Sequence, residues 1–176
     1  SKNVLFIADE VQTGISRTGK LFCCQHEDVK PDILILGKAL SGGVFPVSAA
    51  LADDEVMMTI QPGEHGSTFG GNALACAAAF AATKYLLENN IIDDVNKSSK
   101  YLHSKLSELQ VANEHIIEVR GMGLLFAVQF SSDISPDIID SCNKLGLLLN
   151  GVRPDAIRLM PPLTISISEI AFDQLK

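Results

Sequence analysis

Basic residues are in deficit: 14 Lys+Arg stand against 21 Asp+Glu, for a formal net charge of −7 and a pI near 5.0. A chain this acidic has no basic face with which to displace counterions from phosphates, which argues against general nucleic-acid binding. It has no apolar run near the roughly 18–20 residues that cross a bilayer, so no membrane partner is expected. Its start, Ser1-Lys2-Asn3, is too short for the charged region of a signal peptide, and no small-residue cleavage site follows. Cysteine is scarce. Cys23, Cys24, Cys76 and Cys142 form neither a CxxC pair nor a disulfide framework. Cys76 and Cys142 lie in apolar, helical stretches where a free thiol packs as a small hydrophobe, and the pattern implies a reducing, intracellular compartment. His26, His65, His103 and His115 lack metal-ligand spacing, so no metal is expected. Against these absences, 47% of the residues are hydrophobic and 20% charged, which excludes disorder and suffices for a soluble globular core.

The expected fold class is α/β. Val4-Leu5-Phe6-Ile7-Ala8 is a continuous apolar run of the kind buried on both faces of a parallel sheet. Little sequence precedes it to supply neighbours, and an incipient helix from Ser168, with Ile170, Phe172 and Leu175 near helical spacing, stops early. The chain therefore reads as a piece of a longer protein. Further strands are expected at Ile33–Leu36 and Val47–Leu51, and a short helix at Val56–Ile60 behind Asp53-Asp54-Glu55. A loop rich in Gly and hydroxyls, Pro62–Asn72, leads into an alanine-rich helix over Ala73–Glu88. A second helix follows over Asp93–Leu109, with Val95, Leu102, Leu106 and Leu109 inward. Beyond Val111 the pattern predicts two strands within Ile116–Phe130 around Gly121-Met122-Gly123. Next come a helix from Ser135-Pro136-Asp137 to Gly146 and short strands at Leu147–Leu149 and Ile157–Met160. The change of character places a domain boundary near residue 110.

Ligands of open α/β sheets bind beyond the carboxyl ends of the strands. Two such ends carry ionisable groups here: Asp9-Glu10 after the first strand and Gly37-Lys38 after the second. Either alone is well explained as the first polar residue to reach water. Together on one rim, an acid and an amine suit a pyridoxal phosphate site, the amine forming the Schiff base and the carboxylate keeping the pyridine nitrogen protonated. Gly14-Ile15-Ser16-Arg17-Thr18-Gly19-Lys20 matches the start of a nucleotide-binding loop, but Leu21 replaces the magnesium-binding hydroxyl and little room remains for the helix that should follow. Gly63–Asn72 offers hydroxyls and glycines ahead of a helix, which suits an anion or simply a helix cap. Arg158, between Ile157 and Leu159, needs an anionic partner, whether a substrate carboxylate or a structural acid.

Taken together, Asp9-Glu10-Val11-Gln12-Thr13-Gly14 with Arg17-Thr18-Gly19, Leu36-Gly37-Lys38-Ala39-Leu40-Ser41-Gly42-Gly43, Pro62–Asn72 and Arg120-Gly121-Met122-Gly123-Leu124-Leu125 resemble the class III (subgroup II) pyridoxal-phosphate aminotransferases along nearly the whole chain. The resemblance implies the type I aminotransferase fold: residues 1–110 as the end of a large, mostly parallel α/β/α sheet domain and 111–176 as a truncated small α+β domain. In that fold Val47–Leu51 is a candidate for the single antiparallel strand. It implies Lys38 and Asp9 as catalytic and cofactor-binding residues, Gln12 near the cofactor's phenolic oxygen, and Arg158 on the substrate α-carboxylate. Ser67 and Thr68 would reach the cofactor phosphate of a partner subunit in a homodimer. The implied reaction moves the δ-amino group of ornithine to 2-oxoglutarate, giving glutamate 5-semialdehyde and glutamate. Acetylornithine or 4-aminobutyrate as donor, or an inactive fragment, are the alternatives. An acidic partner for Arg158, the ring-stacking aromatic and a phosphate-binding turn would lie upstream of residue 1. In animals the implied compartment is the mitochondrial matrix, with the cytoplasm as alternative.

Overall fold

The computed structural model describes residues 4–171, so Phe172 and Leu175 of the expected last helix lie outside the described residues. The chain divides between Asn90 and Ile91 into two compact units.

The first unit is built on a three-stranded sheet of β1 (Ile7–Asp9), β2 (Ile33–Leu36) and β3 (Ala49–Ala52), in that order. β1 and β2 are parallel, with Asp9 opposite Ile35. β3 runs antiparallel to β2, with Ala49 opposite Leu36, as expected for the third strand. The run Val4–Ile7 is not buried on both faces. β1 has a neighbour on one side only, so Val4 is 78% exposed and within the strand only Ala8 is covered. Strand β3 starts two residues after Val47, where the returning chain first meets the end of β2. The short helix α1 (Asp54–Met57) follows, two residues earlier than expected. Asp53 stands at its N-cap as expected, but its carboxylate makes no capping bond and pairs with Lys30 at 3.0 Å. Helix α2 (Ala73–Glu88) has the expected bounds. Asn72 caps it, its side-chain oxygen accepting from the Ala75 amide at 2.9 Å. Cys76, expected inside, is exposed on this helix, since among the described residues of α2 only Ala75 is buried.

The second unit begins with α3 (Ile91–Ala112), longer at both ends than the spacing predicts, so this helix falls on the far side of the division from α2. Its buried stripe is Ile91, Val95, Ser98, Leu102 and Leu106, while Leu109 faces solvent. An antiparallel sheet follows from β4 (Ile116–Met122), β5 (Leu125–Phe130), β6 (Asn150–Arg153) and β7 (Ala156–Leu159), in the order β4-β5-β7-β6. Strict alternation in β5 buries Phe126, Val128 and Phe130, and with Leu124, Leu102 and Leu106 these side chains supply the core. Burying each large apolar side chain contributes about 1.5–3 kcal/mol. At the β4–β5 turn Gly121 is obligatory, because a Cβ there would collide with the Leu125 carbonyl oxygen and the Phe126 ring.

Helix α4 (Ser135–Lys144) carries Pro136 in its first turn. The expected strand Leu147–Leu149 is not one. In register with β7, Leu149 would face Leu159, Leu148 would face Met160 and Leu147 would face Pro161, which has no amide donor; pairing begins only at Asn150. The last helix, α5 (Ile167–Ile170), is capped by Ser166 rather than Ser168, in a capping box with Glu169. The Ser166 amide and then its hydroxyl, both donating to the Glu169 carboxylate, hold that carboxyl below the usual carboxylate range.

Candidate functional site

Parallel pairing of β1 and β2 brings their carboxyl ends to one rim. The Glu10 amide donates to the Ile35 carbonyl at 2.9 Å, so the chain leaves β1 level with the end of β2. Asp9 is exposed there, one carboxylate oxygen accepting from the Val11 amide at 3.1 Å. Beyond Leu36 the buried Gly37 gives way to Lys38, which adopts a left-handed backbone (φ 43°) and opens a 3₁₀ turn, Lys38–Ser41. A lysine in that region is sterically disfavoured, and such strain clusters at functional sites. The turn is fixed from within, since the Ser41 hydroxyl donates to the Phe45 carbonyl and accepts from the Phe45 amide at 3.2 Å. The exposed Lys38 amine donates to Gln12 Oε1 at 3.4 Å. Asp9, Gln12 and Lys38 thus share one end of the sheet.

Glu10 organises the segment between. It is 3% exposed, and its two carboxylate oxygens accept from the Cys23 and Cys24 amides at 2.6 and 2.7 Å. Its carbonyl accepts from Gly14 at 2.9 Å, and a Cβ on Gly14 would stand only 2.8 Å from that oxygen. Burial, and then the adjacent carboxylate, push the Cys24 thiol above its ordinary value. Burial likewise lowers Arg17 below its usual range. In the Gly14–Lys20 stretch Ser16 donates to Leu21, Arg17 to Gly14 and Gly19 to Ser16, so these amides are not presented to a phosphate. No α-helix follows, only a 3₁₀ turn over Cys23–Glu27. The nucleotide-loop pattern is a pinned turn that is itself largely buried, Ile15, Ser16 and Thr18 included.

A cavity of about 880 Å³ lies beside the lysine, bounded by Lys38, Pro46, Ser48, Ser67, Gly70 and Cys76 among others. Residues 61–71 are exposed throughout, Thr68 included. The Ser67 hydroxyl accepts from the Gly70 amide at 2.9 Å, which leaves its proton available.

In the second unit, Arg158 is half-buried on β7 at the wall of an apolar cavity of about 470 Å³. Its Nη2 donates to Asn150 Oδ1 at 2.8 Å, while Nε is buried without a hydrogen-bond partner among the described residues. No carboxylate pairs with it among the described residues. Sequence reasoning missed Asn150, and it missed the pinning role of Glu10. The strand period, which sends Asp9 and Glu10 to opposite sides, is the signal for the latter. The former needs the β6–β7 register. It also missed the polar run Glu118–Arg120–Gln129–Asp155, joined by bonds of 2.6 and 3.2 Å and a short Gln129–Asp155 contact. No group of His, Cys, Asp and Glu that could hold a metal occurs among the described residues.

Residues 1–174 match the family described as aminotransferase class-III. The chain belongs to the class-III aminotransferase family. Class-III aminotransferases depend on pyridoxal 5′-phosphate. The mitochondrial ornithine aminotransferase of Rattus norvegicus is 48% identical over 170 residues, which cover 95% of this chain and 38% of the rat protein. Among solved structures, the acetylornithine aminotransferase of Elizabethkingia anophelis superposes with a TM-score of 0.92 at 47% identity, over 98% of this chain and 44% of that one. An ornithine aminotransferase of Toxoplasma gondii, described with partial occupancy of PLP at its active site, gives 0.91 at 42% identity, over 96% of this chain and 40% of that one. The chain spans about two-fifths of the length of the curated class-III relatives it matches.

Proposed function

We propose that this chain is the lysine-bearing part of an aminotransferase that moves the δ-amino group of ornithine to 2-oxoglutarate, giving glutamate 5-semialdehyde and glutamate. The observation that carries the reading is Lys38, an exposed amine on a strained left-handed turn, sharing a sheet end with Asp9 and Gln12. The donor set fits pyridoxal phosphate: an amine for its aldehyde, a carboxylate for its ring nitrogen, and a large cavity beside the amine lined by Ser67 and two glycines. When bound, that group supplies an electron-withdrawing heterocycle. Lys38 Nζ holds it and, once released, carries a proton to and from the substrate's amino carbon. The Asp9 carboxylate would keep the ring nitrogen protonated, and Gln12, which accepts from Lys38 Nζ, would serve the phenolic oxygen. Arg158 takes a substrate carboxylate through its guanidinium, whose Nε has no hydrogen-bond partner among the described residues. The resemblance to an acetylornithine aminotransferase at 47% identity favours N-acetylornithine as the second donor to be assayed.

In the complete enzyme Lys38→Ala is expected to lower transamination by at least about 10³-fold. It should also remove the visible absorption of the lysine-bound cofactor, and unchanged absorption and turnover would refute the role. The same assay with ornithine against N-acetylornithine decides the donor.

The exposed loop with Ser67 and Thr68 suits delivery of hydroxyls to the cofactor phosphate of a second subunit. Mixed dimers of Lys38→Ala with a Ser67→Ala/Thr68→Ala double variant test this. If the loop serves the neighbour's site, each hybrid holds one intact site and random mixing returns about a quarter of wild-type activity. If it serves its own, no intact site forms and none returns. A mitochondrial location follows the rat relative and is tested by fractionation.

A further inference from the structure

Asn150 heads strand β6 and stands opposite Arg158 in the β6–β7 register. Its Oδ1 accepts from Nη2 at 2.8 Å, which fixes one edge of the planar guanidinium. Nε is buried without a partner among the described residues, a costly state for a charged group that an anion would relieve. The cavity that Arg158 lines is mostly apolar, with Leu149, Met160, Pro161 and Pro162 on its wall and Glu169 as its one acid, and it suits the methylenes of a carboxylate-bearing chain.

The chemistry of the acceptor matters. An aspartate at 150 would accept the same bond more strongly, but it would also cancel the charge that has to attract an anion. An alanine would leave the charge intact but free the plane to turn. A neutral oxygen at this position does neither harm. We infer that Asn150 is a positioning and affinity-setting residue: it aims the Arg158 guanidinium at the substrate carboxylate without neutralising it. The inference rests on the reading of Arg158 as the carboxylate-binding residue.

The test uses the complete, cofactor-loaded enzyme with Asn150→Ala, Asn150→Asp and Arg158→Ala, each checked for an unchanged melting temperature. Two quantities are measured: the Kd of glutarate, an unreactive dicarboxylate, by calorimetry, and the KM and kcat for 2-oxoglutarate. Asn150→Asp is expected to raise both Kd and KM about tenfold or more and Asn150→Ala about threefold, with kcat at saturation within about twofold of wild type. Arg158→Ala should weaken glutarate at least as much as the aspartate does. The order of the two Asn150 variants discriminates. A merely structural bond would leave the isosteric, still-accepting aspartate nearer to wild type than alanine, and that result overturns the inference. Wild-type binding by both Asn150 variants, with Arg158→Ala impaired, overturns it too while sparing Arg158. Wild-type binding by Arg158→Ala overturns the carboxylate reading itself.

Discussion

Glu10 shows how a single side chain holds the rim in shape. Its carboxylate is the acceptor for two backbone amides at a 3₁₀ start, a charge-assisted pair that neutral groups match poorly. Glu10→Gln would turn an amide NH₂ toward an amide N–H and lose one of the two bonds. The expected cost is about 2–3 kcal/mol of stability, read from the denaturation midpoint. A second readout is chemical. The Cys24 thiol is held above its usual range by burial and then by this carboxylate, so in the intact protein its thiolate, and with it alkylation, gains ground only at higher pH than for an ordinary cysteine. Removing the charge should speed alkylation of Cys24 near neutral pH. An unchanged midpoint and alkylation rate would show that Glu10 is a bystander.

At the scale of elements, the sequence was most readable where local chemistry is decisive. Ile33–Leu36 and Ala73–Glu88 have the expected bounds, because a turn-bounded aliphatic run and a capped alanine-rich stretch leave few options. It was least readable where a partner decides. Leu147–Leu149 has strand composition but lies opposite a stretch that runs into Pro161-Pro162, and Ser166 wins the cap over Ser168 because only it has Glu169 at the capping-box distance. The candidate site divides in the same way. Lys38 and Asp9 could be placed from strand ends alone, whereas Asn150 becomes visible only once β6 and β7 are in register. The β4–β5 turn offers a test of such dependence. Gly121→Ala, which drives a methyl group into the Leu125 carbonyl, is expected to cost about 3 kcal/mol or more in thermal or denaturant unfolding. A loss under about 1 kcal/mol would show that the hairpin shifts to accept it.

At the scale of the whole molecule, much apolar surface stands in the open: Val4, Leu5 and Phe6 before β1, Leu74 and Phe80 on α2, and Phe69 in the glycine-rich loop, which is 80% exposed. Exposed large apolar side chains in such number suit surfaces made to be covered. No helix among the described residues is long and apolar enough to cross a membrane. The 176 residues alone are therefore expected to bind pyridoxal phosphate weakly and to turn over ornithine poorly. Titration of the isolated chain with the cofactor, followed by its absorption, checks this. Tight stoichiometric binding with full activity would mean that everything the reaction needs is present in this stretch.

The left-handed turn at Lys38 carries one more implication, for lineages rather than for chemistry. A side chain in that conformation is roughly 1 kcal/mol worse off than glycine would be, so folding on its own prefers to lose the lysine. Descendants relieved of the reaction should drift there toward glycine or asparagine and become tougher as they become inert. A pseudoenzyme of this architecture should melt later than its working cousins.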